Sequence, residues 1–96
     1  MSATLQAAVA ALNTKLDGAG FDGVAKFVIE DEGSILVDQN GARHEDAPAD
    51  VTLSADAETF RAILEGDLNP TAAFMGGRLS IDGDMGAAMR LAGVLS

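Results

Sequence analysis

Large apolar residues in the N-terminal segment recur at helical spacing. They stand at positions i, i+4, i+7 and i+11, namely Leu5, Val9, Leu12 and Leu16. This spacing places them on one face of an α-helix with polar residues opposite, so the segment predicts a helix that buries one side. The glycine-containing run over residues 17–20 is expected to end this helix.

Alternation replaces helical spacing in the middle of the chain. Apolar and polar residues alternate with period two, which is typical of half-buried β-strands. Four strands are predicted, over residues 25–30, 35–37, 42–45 and 51–54. Asn40-Gly41 predicts a two-residue hairpin between the second and third strands. The third strand is polar, and we expect it at an edge of the sheet.

Helical spacing returns after the fourth strand. A stripe of Phe60, Ile63 and Leu64 predicts a second helix, and Asn69-Pro70 predicts the start of a short third one. Aspartate and asparagine cap helix starts, and glycine favours helix ends. On that basis the expected boundary residues are Asp56, Gly66, Asn69 and the pair Gly76-Gly77.

A fifth strand and a last helix complete the pattern. Residues 78–82 alternate again, with Leu79 and Ile81 predicted to point inward. Asp84 is a predicted cap for the final helix. The expected apolar side of that helix is formed by Met85, Ala88, Met89, Ala92 and Leu95.

The order of these elements predicts an α+β domain. Strands cluster first and helices cluster later, which favours a sheet covered by helices. The last strand has to rejoin the sheet after a helical crossover, so we expect a mixed sheet. The length of 96 residues predicts one domain over residues 1–96, with an apolar seam between helices and sheet.

Composition narrows the range of partners. The hydrophobic fraction of 48% predicts a packed core, and the absence of cysteine fits a reducing compartment, so we expect a cytoplasmic protein. A net charge of −9 disfavours nucleic acid and steady docking on anionic membranes, which leaves at most transient membrane contact. The N-terminal segment predicts neither a signal peptide nor a membrane span.

Catalytic chemistry finds little support in the sequence. His44, the one histidine, lies on the polar strand and is interpreted as a solvated edge residue. The acidic groups at residues 30–32 and 82–84 lack the loop spacing of a calcium-binding hand, so turn and cap roles explain them. We therefore predict that the protein is not an enzyme and has no catalytic residue, no metal site and no cofactor.

The C-terminal part of the chain carries a motif of closely spaced glycines and apolar residues. It reads Gly66, Leu68-Asn69-Pro70, Ala73-Phe74-Met75, Gly77, Leu79, Ile81, Gly83, Met85-Gly86, Ala88-Met89 and Leu91. In these residues and their spacing the chain resembles the sterol carrier protein type-2 family, while the first half fits in the order of its elements. The resemblance implies a five-stranded mixed, mainly antiparallel sheet covered by helices, with an apolar tunnel between helices and sheet.

The resemblance also implies a function. Members of that family bind sterols, fatty acids, fatty acyl-CoA and phospholipids, so we expect non-catalytic binding and carriage of a ligand of this type. The small acidic domain has the character of a bacterial protein, which favours an acyl chain or an isoprenoid over sterol. The expected ligand-binding residues are Phe60, Leu64, Phe74, Met75, Leu79, Ile81, Met85 and Met89.

Two alternatives stay open. The same fold can serve as an assembly module, because an apolar groove accepts a partner's amphipathic helix as readily as a lipid tail. A homodimer belongs to that interpretation. The domain can also present an isoprenoid intermediate to membrane-bound enzymes. A co-purified lipid would favour carriage, whereas a bare protein that dimerises would favour assembly.

Overall fold

The computed structural model describes residues 3–16 and 20–95. Within these residues the chain forms α1 (Ala3–Leu16), β1 (Ala25–Ile29), β2 (Gly33–Asp38), β3 (Gly41–His44), β4 (Val51–Ala55), α2 (Ala57–Leu64), α3 (Pro70–Met75), β5 (Ser80–Gly83) and α4 (Met85–Leu95). The predicted order of elements is confirmed. Residues 17–19, to which we assigned the end of the first helix, lie outside the described residues.

The five strands form one open, mixed sheet in the order β3-β2-β1-β4-β5. The pairing of β1 with β4 is parallel, with Ala25 opposite Val51, and the other pairings are antiparallel. The polar strand β3 lies at an edge, as predicted. The mixed sheet is confirmed as well, but its parallel pair comes from β4 lying beside β1, whereas β5 returns antiparallel to β4.

One face of the sheet carries the core. Alternate residues of β1, β2 and β4 share this face and are almost fully buried: Ala25, Phe27, Ile29, Ile35, Val37, Val51, Leu53 and Ala55. α1 contacts β2 and β3, and α4 contacts β1, β4 and β5. α2 contacts α1 and α3 contacts α4. The helices therefore form one layer over the sheet, in which α1 and α4 cover different strands.

Asn13 ties α1 to the edge strand β3. Its Nδ2 donates a hydrogen bond to the carbonyl oxygen of Ala42 at 3.0 Å, and its Oδ1 accepts one from the Ala42 N–H at 2.9 Å. A Cβ on Gly41 would lie 2.7 Å from Asn13 Oδ1, so this close approach requires glycine there. Gly41 pairs with Asp38, so the hairpin loop is Gln39-Asn40, one residue earlier than the predicted Asn40-Gly41.

The three predicted N-caps are confirmed. The side chains of Asp56, Asn69 and Asp84 accept hydrogen bonds from backbone N–H groups two or three residues later, at 2.7, 2.8 and 2.8 Å respectively. These bonds satisfy donors that a helix start leaves without a partner. Sequence reasoning placed the caps correctly because the short polar residue and the apolar stripe after it form a local signal.

α2 and α3 end in matching turns. In both, the N–H one residue beyond a glycine donates to a carbonyl five residues earlier, which is a Schellman motif. The glycine must adopt a positive φ, and Gly66 and Gly77 have φ values of +83° and +77°. The two bonds, both 2.9 Å long, run from Asp67 to Ala62 and from Arg78 to Ala73. These glycines of the C-terminal motif are therefore required by the backbone.

The face that α4 turns to the sheet matches the predicted one only in part. Its buried residues are Ala87, Ala88, Leu91 and Leu95, so the prediction is confirmed for Ala88 and Leu95. It was wrong for Met85 and Met89, which are 46% and 59% exposed. Alanines let the helix approach the sheet closely, and the longer methionines lie outside that contact.

Candidate ligand-binding site

A groove opens between α1 and α2 above the end of β1. Its volume is about 690 Å³. The lining residues are Ala3, Ala7, Ala8, Ala11, Ile29, Ala57, Glu58, Phe60, Arg61, Leu64 and Glu65. Several of them, including Ala3, Ala7 and Glu58, are exposed, so the groove is open to solvent. Water can therefore fill it when no ligand is bound, and the domain avoids the cost of a dry cavity.

Alanines form the α1 wall of the groove. Ala3, Ala7 and Ala11 stand four residues apart, so they share one face of the helix. A methyl group fills little of the space between two helices, whereas leucines at these positions would reach towards α2. The large apolar residues of α1, such as Leu5 and Leu12, are buried in the core instead. The groove therefore follows from the distribution of small and large residues along α1.

Ile29 and Phe60 form a packed apolar floor, and both are buried. The ring of Phe60 meets the ring of Phe27 edge to face, with centroids 5.0 Å apart and an angle of 78° between the planes. Such a pair contributes about 0.5–1.5 kcal/mol beyond its buried area. Leu64, one turn further along α2, is half-buried in the α2 wall of the groove. The floor is thus closely packed, while the α2 wall is partly accessible to solvent.

Charged side chains stand at the rim. Arg61 lies on α2 between Glu58 and Glu65, and its Nε is 3.6 Å from Oε1 of Glu65. Both side chains of this pair are exposed, so the contact adds little to stability. Among the described lining residues, Arg61 is the one with a positive charge. It is therefore the group that can meet an anionic ligand head at this rim.

Polar contacts fix the start of α2 and hence the second wall. Hydrogen bonding from the Thr59 side chain, and then from its backbone N–H, lowers the pKa of the Asp56 carboxyl. Thr59 is 2% exposed, and its Oγ1 lies 3.5 Å from Nη2 of Arg78. The first turn of α2 is thereby joined to the segment that leads into β5.

The structure divides the predicted ligand-binding residues among several places. Phe60 and Leu64 line the groove between α1 and α2. Met89 lines a second, smaller groove of about 220 Å³ between α3 and α4. These two grooves have no lining residue in common.

The other predicted residues lie outside both grooves. Phe74, Met75 and Met85 are exposed on α3 and α4. Leu79 is buried directly before β5, and Ile81 is half-buried on β5 opposite Leu53. The eight residues are therefore not brought together at one site, and their contact with a ligand stays a prediction.

Sequence reasoning missed the α1 wall of the groove. The signal was the spacing of Ala3, Ala7 and Ala11, with Ala8 beside them. Alanine is both a good helix former and a weakly hydrophobic residue, so such a stripe does not distinguish a groove from ordinary helix packing. The structure is needed to show that α2 stands across from it.

The structure offers little for metal or catalytic chemistry. Among the described residues, no three His, Cys, Asp or Glu side chains are grouped so that they could hold a metal ion. His44 is exposed at the end of β3, as expected of an edge residue. Within the same part of the chain, no helix is long and apolar enough to cross a membrane.

Comparison with known proteins decides the family. The model of the SCP-2 sterol transfer family matches residues 2–96. The chain belongs to this family. Hydroxysteroid dehydrogenase-like protein 2 of Xenopus tropicalis is 36% identical over an alignment of 81 residues, which covers 76% of this SCP-2 family chain and 19% of that protein. The chain thus spans less than a fifth of the length of that relative.

Solved structures agree with the fold of this SCP-2 family chain. Sterol carrier protein 2 from Aedes aegypti, in complex with palmitate, superposes with a TM-score of 0.80 at 20% identity. The matched region is 100% of this chain and 97% of the Aedes aegypti chain. Sterol carrier protein 2 like 2 from the same species has a TM-score of 0.78 at 22% identity, with 95% of each chain covered. The predicted α+β fold is therefore confirmed.

Family membership makes this a domain of a lipid-binding fold. An enclosed tunnel stays a prediction, since the described residues form a half-open groove. The relatives named here come from animals, so a bacterial origin and a cytoplasmic location also stay predictions. The same holds for a homodimer.

Proposed function

We propose that this SCP-2 family chain binds the acyl chain of a fatty acid, or an apolar ligand of similar length, in the α1/α2 groove and carries it chemically unchanged. The proposal rests on the groove of about 690 Å³ with its apolar walls and floor. Pockets for small ligands have volumes of about 300–1,000 Å³. Palmitate, which is bound in the structure of the Aedes aegypti protein, belongs to this ligand class.

Burial of methylene groups supplies the affinity. Each methylene group that leaves water contributes about 0.8 kcal/mol. Loss of translational and conformational freedom offsets a large part of that sum. Micromolar binding requires a net free energy of about −8 kcal/mol, so most of a long acyl chain has to enter the groove. A short-chain acid is expected to bind weakly for the same reason.

A carboxylate head group is expected at the rim beside Arg61. The exposed contact between Arg61 and Glu65, at 3.6 Å, is weak enough for a ligand carboxylate to replace Glu65. Glu58 and Glu65 still leave the rim with a net negative charge. A single carboxylate or an uncharged alcohol is therefore favoured over a polyanionic head group such as that of fatty acyl-CoA.

Matched substitutions on α1 test the location of the ligand. Ala7 lines the groove, whereas Ala10 is exposed on α1 and lies outside the lining. In Ala7→Phe the ring occupies space that the ligand needs. If it displaces two methylene groups, worth about 1.6 kcal/mol, palmitate affinity falls about tenfold. Isothermal titration with palmitate measures this, and Ala10→Phe, the same change on the same helix, should bind like the wild type.

If Ala7→Phe, with an unfolding curve like that of Ala10→Phe, binds palmitate as tightly as the wild type, the acyl chain lies elsewhere. Loss of binding in variants of Met85 or Leu79 would then support the site predicted from the sequence. Native mass spectrometry of the purified protein separates carriage from the assembly module, since bound lipid supports carriage and a bare dimer supports assembly. The mass of a bound lipid would also distinguish a fatty acid from an isoprenoid.

A further inference from the structure

Exposed large apolar side chains are concentrated in one part of the molecule. Among the described residues they are Phe74, Met75, Met85 and Met89, with exposed fractions of 41%, 80%, 46% and 59%. The first two belong to α3 and the last two to α4. Solvent exposure of four such side chains costs free energy in the isolated protein, and clusters of this kind mark interaction surfaces.

These side chains border the groove between α3 and α4. Thr71 and Met89 contribute to its lining from opposite sides. On α3, Phe74 and Met75 follow Thr71 by three and four residues, so they continue the same helix face. On α4, Met85 precedes Met89 by four residues and shares its face. The four side chains therefore form one surface on both sides of the groove, which we call the α3/α4 face.

The segment that carries this face has no net side-chain charge. After Asp67 the acidic residues are Asp82 and Asp84, and Arg78 and Arg90 balance them. The whole net charge of −9 therefore belongs to residues 1–67. An apolar, neutral surface is thus attached to a strongly acidic remainder, and both properties restrict what can cover it.

A second copy of the chain fits this face poorly. The four exposed fractions together amount to little more than two fully exposed side chains. At about 200 Å² for each such side chain, that is roughly 450 Å². A stable interface buries about 800 Å² per partner, of which a little more than half is apolar, so the area alone would allow a second copy. Two copies would, however, bring together two charges of −9, which repel each other.

We propose that the α3/α4 face docks this protein on an electrically neutral, zwitterionic phospholipid membrane. Apolar side chains enter the boundary between head groups and acyl chains, and the strength of this reversible binding scales with the apolar area that they bury. A zwitterionic surface does not repel the acidic remainder, whereas an anionic surface does. Methionine is unbranched and adapts to a fluid surface. Docking goes beyond ligand binding, because it does not require that the α1/α2 groove be filled.

A tryptophan reporter tests the orientation directly. The chain contains no tryptophan, so Met75→Trp introduces a single probe at a position that is 80% exposed. Phosphatidylcholine vesicles should shift its emission to the blue. Ala10→Trp, on exposed α1 surface away from that face, is the matched control and should not shift. No shift for Met75→Trp, or an equal shift for both probes, would overturn the proposal.

A second pair of measurements tests the contribution of the side chains. The double variant Met75→Gln/Met89→Gln should reduce co-sedimentation with phosphatidylcholine vesicles about tenfold, since it removes two of the exposed apolar groups. Binding of the wild type to vesicles with added phosphatidylserine should be weaker and should recover with salt, because salt screens the repulsion. Tighter binding to the anionic vesicles would contradict the proposal.

The remaining outcomes separate docking from the other possibilities. A blue emission of Met75→Trp without vesicles, together with elution as a dimer, would show that a second copy covers the face and would overturn membrane docking. Ala7→Phe, in contrast, should still bind vesicles, because the α1/α2 groove and the α3/α4 face have no residue in common. Failure of docking and failure of the acyl-binding groove are therefore distinguished by different variants.

Discussion

Two regions of the helix layer of this SCP-2 family protein are packed in opposite ways. α4 lies tightly on the sheet, with Ala88 and Leu91 buried against it. α1 and α2 instead leave a groove of about 690 Å³ between them. The C-terminal motif begins at Gly66, whereas the groove is lined by α1, α2 and Ile29, all of which precede that motif. The residues that carry the family motif thus specify the fold, whereas the groove proposed to hold the ligand is shaped by residues outside the motif.

The largest effect is expected where the closed region admits no added atom. Gly83 has a φ of +113°, and a Cβ there would clash with the carbonyl oxygen of Asp50 and lie 3.0 Å from Val51 Cα. The same Asp50 oxygen accepts the N–H of Asp84 at the start of α4. The Asp50 oxygen and the Val51 Cα cannot move away from such a Cβ without loss of the β4–β5 pairing. Gly83→Ala should therefore lower the free energy of unfolding by about 3 kcal/mol or more, as measured by urea titration.

Gly93→Ala provides the matched control for this change. Gly93 lies within α4, and a Cβ there would meet no atom within 4 Å. Alanine in a helix is more stable than glycine by about 0.5–1 kcal/mol, so this variant should gain stability. Equal stability of the two variants would contradict the view that the glycines of the motif are needed by the backbone.

Truncation of one leucine in each region compares the regions directly. Leu91 lies on the buried face of α4. Leu91→Ala should lower the free energy of unfolding by about 3 kcal/mol through lost burial and the cavity that remains. Leu64 is half-buried at the open groove, and Leu64→Ala should cost about 1 kcal/mol because water can reach the vacated space. Urea titration measures both values.

The same pair separates stability from ligand binding. Palmitate affinity should fall in Leu64→Ala, whose side chain lines the groove, and should stay unchanged in folded Leu91→Ala. The opposite assignment, with Leu91→Ala weakening palmitate binding at equal folded fraction, would place the ligand between α4 and the sheet and would reverse the comparison.

A smaller effect is expected at the attachment of α1. Asn13 bonds both backbone groups of Ala42, which is 8% exposed. Asn13→Ala leaves these groups without their partner and should cost about 1–2 kcal/mol. Faster amide hydrogen exchange at Ala42 would locate the loss. Thr14→Ala, which removes only an exposed bond within the helix, serves as the control and should cost far less.

Local signals made much of the fold predictable from the sequence. Period-two alternation indicated each strand, and the three caps Asp56, Asn69 and Asp84 marked helix starts. The pairing of β1 with β4 was not predictable, because it joins strands that are separated by a hairpin and no local pattern records it. The one-residue error at Asn40 arose because Gly41 serves a long-range contact with Asn13 rather than the turn alone.

The candidate ligand site was less predictable than the fold. Reasoning from the sequence treated large apolar residues near the C-terminus as candidates for contact with a ligand. Hydrophobicity alone does not say whether Met75 lies inside or outside, and the structure leaves it 80% exposed. A groove is defined by side chains that are too small to fill a space, and Ala7 carries no pattern that distinguishes it from Ala10. Only the position of α2 makes that distinction.

The smallest expected effect is an acid sensitivity that arises at Asp38 on β2 and at Asp56, the N-cap of α2. The Arg43 side chain, which donates to both carboxylate oxygens of Asp38 at 2.9 and 3.0 Å, lowers the pKa of Asp38, and so does the backbone N–H of Asn40. The pKa of Asp56 is lowered as well. Because the folded state holds these protons less tightly than the unfolded state, both groups stabilise the fold above the ordinary value of 3.8. That contribution is lost as pH falls through the folded pKa values.

Asp56→Asn isolates one of these two groups. Asparagine caps a helix about as well as aspartate, so stability at about pH 7 should change little. Between about pH 5 and about pH 3 the melting temperature of this variant should fall less steeply than that of the wild type, because one group that takes up a proton on unfolding is absent. Asp67→Asn makes the same change of charge in the loop after α2. If it flattens the slope equally, the acid sensitivity follows the overall charge of −9 and not the cap that positions the α2 wall.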